Sequence, residues 1–275
     1  MFSGQTFSIK ISFMSTLDKQ PETRQEILLE ILLRLADDRL ILGQRLSEWC
    51  GHGPILEEDL ALANIALDMI GNASAMYGYA AEVEGNGKDE DHYAYFRDDI
   101  DFKNFQMLEL PNGDFAFTIA RQFLFSSYSY FLYSNLMDVS DEQFRGMAEK
   151  HLKEIKYHLR HSREWVLRLG DGTEESHKRI QEAFDDLWMY TGEFFDQDET
   201  DHAAIKEKLY TDVTQFKVEW KKLVAETLDE ATLSKPDDEQ YMASGCRNGF
   251  HTEYLGPLLA QMQFLRRSHP DAEWK

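Results

Sequence analysis

Proline and glycine are scarce in this sequence, at 6 and 16 of 275 residues. Both interrupt regular backbone, so a chain with few of them and many Leu, Glu, Ala, Lys and Gln favours long helices over a sheet. Cysteine is scarcer still. Cys50 and Cys246 are the only two, which excludes a disulfide framework and a zinc knuckle built from cysteine alone. Both lie among small or apolar residues and are expected to be buried free thiols, in keeping with a reducing, cytoplasmic setting. Positive charge is also short: 29 Lys and Arg stand against 50 Asp and Glu, a net charge of −21. Such a field repels a polyphosphate backbone and argues against nucleic acid as a ligand. It serves solubility, and it would also suit docking against a basic partner. No apolar run approaches the roughly 20 residues that a bilayer-spanning helix needs. The N-terminus lacks the basic stretch and apolar run of a signal peptide. Residues 1–20, with their alternating Phe7, Ile9, Ile11 and Phe13, are expected to be a tail, either disordered or upstream of a start at Met14. A Gly-rich phosphate loop, a His-Glu-x-x-His pair and a nucleophile elbow are all missing.

What is present is helical periodicity. Residues 22–50 carry Leu28, Leu32, Leu35, Leu42, Leu46 and Trp49 at alternating steps of four and three, one face of a helix. Residues 57–84 open with Glu57, Glu58 and Asp59, which suit the positive end of a helix dipole. Beyond that turn they are apolar nearly all round, as expected of a helix in the middle of a bundle. An acidic connection over 85–113 is long for a compact domain and suggests a crossover. Further helices are expected over 115–137, rich in Phe and Tyr, and over 141–169, 173–196 and 202–233. A last one follows Phe250-His251-Thr252. Residues 21–275 are therefore expected to form one all-α domain, a ferritin-like four-helix bundle with a long crossover between the second and third helices and additional C-terminal helices.

Ferritin-like enzymes hold two irons with one carboxylate from each of two helices and a Glu-x-x-His from each of the other two. This sequence meets that recipe poorly. The fourth long helix has Glu154 and His158 four apart, with Tyr157 at the required spacing. The second has Asp68 followed by Gly71 where a His would stand, and glycine supplies no ligand. The first offers Asp38 on the flank of its apolar stripe, with Asp37 pointing to the far side. The third offers no carboxylate between Phe115 and Leu136. Asp38, Asp68, Glu154 and His158 thus read as remnant ligand positions that hold no metal. Arg39, near the centre of the first helix's stripe, is expected to supply the missing positive charge to Asp68 and Glu154.

Several ordered segments resemble a known family: 35–49 (LADDRLILGQRLSEW), 56–71 (LEEDLALANIALDMIG), 111–115 (PNGDF), 118–122 (TIARQ), 157–160 (YHLR), 168–173 (RLGDGT) and 251–257 (HTEYLGP). They are similar to the structural (C) subunits of ring 1,2-phenylacetyl-CoA epoxidases, from about residue 20 to residue 270. The resemblance implies a subunit of a phenylacetate-degrading monooxygenase, without catalytic residues or cofactor of its own. It implies pairing with a related A subunit that carries the di-iron centre, and electrons from NADPH through a reductase with FAD and an iron–sulfur cluster. The segment with Gly249, His251, Glu253, Tyr254 and Pro257 is expected either to meet a partner or to cap its own bundle. The competing expectations are a di-iron oxygenase in its own right, using Asp38, Asp68, Glu154 and His158, or a ferritin-like scaffold outside oxygenase chemistry.

Overall fold

Three of the four long helices begin where the sequence supplies a side-chain cap. In the computed structural model, which describes residues 23–272, Thr23 and Glu26 cap one another's amides to open α1 (Arg24–Ser47). The expected tail and the choice of start lie outside the described residues. Next, α2 (Leu56–Glu84) ends on Gly85, whose φ of 66° is the left-handed turn that releases the chain. The crossover that follows is not featureless. It contains the short α3 (Glu90–Tyr95) and two 3₁₀ turns, Asp99–Asp101 and Gln106–Glu109. Asp114 and Asp141 then cap α4 (Phe115–Asn135) and α5 (Glu142–Gly170).

These four long helices make the bundle, with α1 packed on α2 and α4 on α5. Gly43 lets the first pair approach closely, because a Cβ there would lie 2.9 Å from Ile70 Cγ1. Behind α4 and α5 lie α6 (Glu174–Trp188), which continues as the 3₁₀ stretch Met189–Phe195, and α8 (Lys217–Glu230), whereas α7 (Glu199–Lys206) packs on α1. The aromatic side chains of α4 interlock with this outer layer. Tyr128 stacks on Phe194 at 4.7 Å between ring centroids, and Trp220 Nε1 donates to Ser127 Oγ at 2.8 Å. The last helix, α9 (Leu255–Ser268), packs on α3. No strand occurs among the described residues.

Three expectations need correction. The helix expected over 202–233 is two helices, because Lys208 turns the backbone through φ 56° and Asp212 caps a new start at Val213. Cys50 is exposed, in the turn after α1, and only Cys246 is buried. Finally, α2 is not buried all round: Leu56, Leu60 and Leu67 are 70%, 56% and 67% exposed.

Candidate functional site

The polar side chains of α1 are the first to depart from a ferritin-like metal site. Asp38 is fully buried and turned away from the bundle axis. It accepts two bonds from Arg247, at 3.0 and 2.9 Å, and one from the Phe105 amide at 2.9 Å. Burial opposes the charge on Arg247, but Asp38, with help from Cys246 and Tyr210, holds the guanidinium well above its ordinary pKa. Asp37 points to the far side of α1 as expected, yet it too is fully buried. The crossover covers that side of α1, and Asp37 binds Arg97, the Tyr77 hydroxyl at 2.5 Å and the Lys103 amide at 2.8 Å. The adjacent acids are thus anchors: Asp37 ties down the crossover, and Asp38 ties down both the crossover and the segment after α8.

Arg39 is the side chain that reaches the bundle centre. It is 2% exposed and sits with its guanidinium carbon 4.8 Å from the ring centroids of both Phe125 and Tyr133. Its Nη1 lies 3.6 Å from Met69 Sδ. The expected ion pairs do not form. Among the described residues no carboxylate lies within 4 Å of Arg39, and cation–π contact takes the place of a salt bridge. The cause is geometric, since α4 presents rings where an acid would stand.

Asp68 and His158 do come together, across α2 and α5, with Asp68 Oδ2 3.0 Å from His158 Nε2. One turn along, Glu58 Oε2 lies 2.8 Å from His161 Nε2. These pairs stitch the two helices together, with Asp68 half-buried and its three companions largely buried. Burial lowers the pKa of His158 despite Asp68, and burial raises that of Glu154. His151, two turns before His158, is 1% exposed, and burial with help from Arg39 pushes it down to about 3.

Do these residues fit a pair of irons? The buried polar side chains of α4 are hydroxyls, one amide (Gln122) and one guanidinium (Arg121), and none is a carboxylate. Asp38 is consumed by Arg247, Asp68 is held by His158, and a guanidinium sits on the axis. Among the described residues no three His, Cys, Asp or Glu side chains are grouped as a cation would require. The donor set does not fit.

A second polar cluster has almost no signature in the sequence. Glu109, fully buried, accepts from the Thr252 amide and hydroxyl, both at 2.7 Å, and lies 2.6 Å from His251 Nδ1. His251 Nε2 donates to Phe102 O at 3.0 Å. Two residues of the expected interface segment therefore face inward: His251 is a latch onto Glu109, and Gly249 presses on Ile100, where a Cβ would fall 2.9 Å from its carbonyl oxygen. Glu253, Tyr254 and Pro257 remain at the surface. A lone acid between Leu108 and Leu110 was the sequence signal for this latch. Arg247 had a fainter one, its place between Gly245 and Gly249, both at positive φ. Nearby, burial pushes Glu193 up to about 7 against the Gln106 amide that it accepts from.

An all-helical bundle of ferritin-like plan, its axis filled by rings and an arginine, is the class that fold and site define. The chain belongs to the phenylacetic acid catabolic protein family, whose model matches residues 11–274. It is 46% identical over 242 residues to the C subunit of the 1,2-phenylacetyl-CoA epoxidase of Escherichia coli (strain K12). That alignment covers 88% of this chain and 97% of the relative.

Proposed function

We propose that this chain is the non-catalytic structural subunit of a multicomponent monooxygenase that converts phenylacetyl-CoA to its ring 1,2-epoxide in aerobic phenylacetate degradation. Its partner is a related bundle, the A subunit, that carries the di-iron centre. NADPH, FAD and an iron–sulfur cluster belong to a separate reductase. The similarity to the C subunit of an epoxidase supports the setting. The observation that supports a non-catalytic role is the bundle axis, where Arg39 lies between Phe125 and Tyr133 and α4 offers no carboxylate.

The work of such a subunit is rigidity. A neighbouring catalytic bundle needs its ligand-bearing helices held from outside and its cavity kept dry. The chain's contribution is a stiff helical wall, and Asp37, Asp38 and Glu109 lock its crossover and C-terminal segment.

Co-expression with the iron-bearing subunit tests this. The expected result is one complex on sizing, with epoxidation of phenylacetyl-CoA, given the reductase, in the complex and none by this chain alone. Turnover by the isolated chain would favour the oxygenase alternative. A chain that never associates with the iron-bearing subunit would favour the scaffold outside oxygenase chemistry.

A further inference from the structure

Asparagine is followed by glycine three times in this sequence, at Asn86-Gly87, Asn112-Gly113 and Asn248-Gly249. Each pair carries a latent reaction. The glycine amide nitrogen can attack the side-chain carbonyl carbon of the asparagine, because glycine has no Cβ to hinder the approach. A bond forms between that nitrogen and Cγ, the Cγ–Nδ2 bond breaks, and ammonia leaves with the proton that the glycine nitrogen gives up. Water then opens the cyclic imide at either carbonyl. The product is aspartate, or isoaspartate with the main chain rerouted through the side-chain carbon.

The fold treats the three sites differently. Asn112 is pinned from the end of α1 and from α4. Its Nδ2 donates to Arg45 O at 2.6 Å and to Glu48 Oε2 at 3.2 Å, and Arg121 Nη2 donates to its Oδ1 at 2.5 Å. Asn248 ends the 3₁₀ turn Cys246–Asn248, and a helical backbone holds the next nitrogen out of line with the side-chain carbonyl. The Gly249 N–H is also engaged, donating to Cys246 O at 3.3 Å. Asn86 has neither restraint. It is exposed in the turn between α2 and α3, flanked by Gly85 and Gly87 at φ 66° and 84°. Its partners are local: the Lys88 amide donates to Oδ1 at 3.2 Å, and the Glu84 carboxylate lies beside the same side-chain amide. The Lys88 N–H faces the oxygen that becomes negative as Cγ is attacked, so it aids the reaction. The two bonds from Asn112 Nδ2, by contrast, must break before that amide can turn.

We propose that Asn86 is a site of spontaneous modification in the folded protein, converting to aspartate and isoaspartate while the fold protects Asn112 and Asn248. The change alters its surroundings. It sets a carboxylate just past the C-terminus of α2, where the helix dipole disfavours negative charge. The new charge also stands beside Glu84, which holds Lys88 Nζ at 3.0 Å and the Tyr93 hydroxyl. Isoaspartate lengthens the turn by one backbone atom as well. The start of the crossover, residues 85–95, therefore loosens as the chain ages, while the Asp37 anchor to Arg97 and Lys103 keeps the rest in place.

The test follows the full chain in warm, mildly alkaline buffer, folded and in urea. Peptide mass spectrometry reads the exchange of an amide for an acid, and labelling by an isoaspartate methyltransferase reads the rerouted backbone. In urea the three sites are expected to react at similar rates, since each is Asn followed by Gly. In the folded chain Asn86 keeps most of that rate. Asn112 and Asn248 fall at least about tenfold behind it, the rate factor for breaking one or two hydrogen bonds. Asn86→Gln removes the mass gain from its peptide. Amide hydrogen exchange over residues 85–95 is expected to quicken in the aged wild type and not in the aged Asn86→Gln chain. Equal rates at the three sites of the folded chain overturn the proposal, as does Asn112 or Asn248 reacting faster than Asn86. An Asn86 that reacts only in urea overturns it too.

Discussion

Replacing Asp38 by Ala should destabilise the fold by about 3–5 kcal/mol, the usual cost of leaving one member of a buried ion pair alone. The size follows from which charge is left behind. Arg247 has a 12% exposed side chain, lies 3.8 Å over the Phe105 ring, and loses in Asp38 its only carboxylate within 4 Å among the described residues. A guanidinium cannot shed its proton at accessible pH, so the orphaned charge persists. The loss is a large share of the roughly 5–15 kcal/mol that holds a domain together. The mirror variant, Arg247→Met, leaves a carboxylate that can take up a proton, so it should cost less, and less still at pH 5 than at pH 8. Urea unfolding followed by circular dichroism checks both. Equal costs for the two variants at both pH values would mean that the pair contributes only packing.

The second large effect concerns acid. His151 is held neutral, its pKa pushed down to about 3 by burial and by Arg39, against about 6.5 in an unfolded chain. Above pH 6.5 neither state is protonated and the histidine costs nothing. Between 6.5 and 3 the unfolded chain binds a proton that the folded chain refuses, so stability falls as pH falls. By pH 4.5 the loss from this one group is about 3 kcal/mol. His151→Gln removes the titration. The variant should be slightly less stable than wild type at pH 7.5, through poorer packing beside Tyr133, and more stable at pH 4.5. Unfolding curves that keep a constant separation across that range would contradict the assignment.

How much of this was legible in the sequence differs from helix to helix. The four long helices could be read because their apolar periods are local, and three of them also open on a local cap, at Thr23, Asp114 and Asp141. So could the lack of an acid on α4. The burial of Asp37 was not legible for a nonlocal reason. One helix wheel shows which residues share a face, but not that residues 97–105 return to cover the opposite face. The same limit applies to His251 and Glu109, 142 positions apart. Leu60 and Leu67 misled in the other direction. Apolar residues all round a helix signal burial, yet the described residues cover only part of α2, and periodicity cannot say whether the rest is covered by the same polypeptide.

Arg39 shows a correct placement with the wrong partner. Its position on the apolar stripe put it at the axis, where it does lie. Charge balance suggested Asp68 and Glu154, whereas the nearest groups are two rings and a thioether. A desolvated guanidinium gains about 2 kcal/mol from a well-placed ring. The rings of α4 thus hold the cation in a place where a ferritin-like enzyme would need acids.

The most direct test of that exchange is iron analysis of this chain, produced alone in iron-replete cells and again after separation from its complex. Iron far below one atom per chain is expected in both preparations, with the metal of the complex remaining on the partner. Two tightly held irons in the purified chain would contradict a bundle whose axis belongs to rings and an arginine.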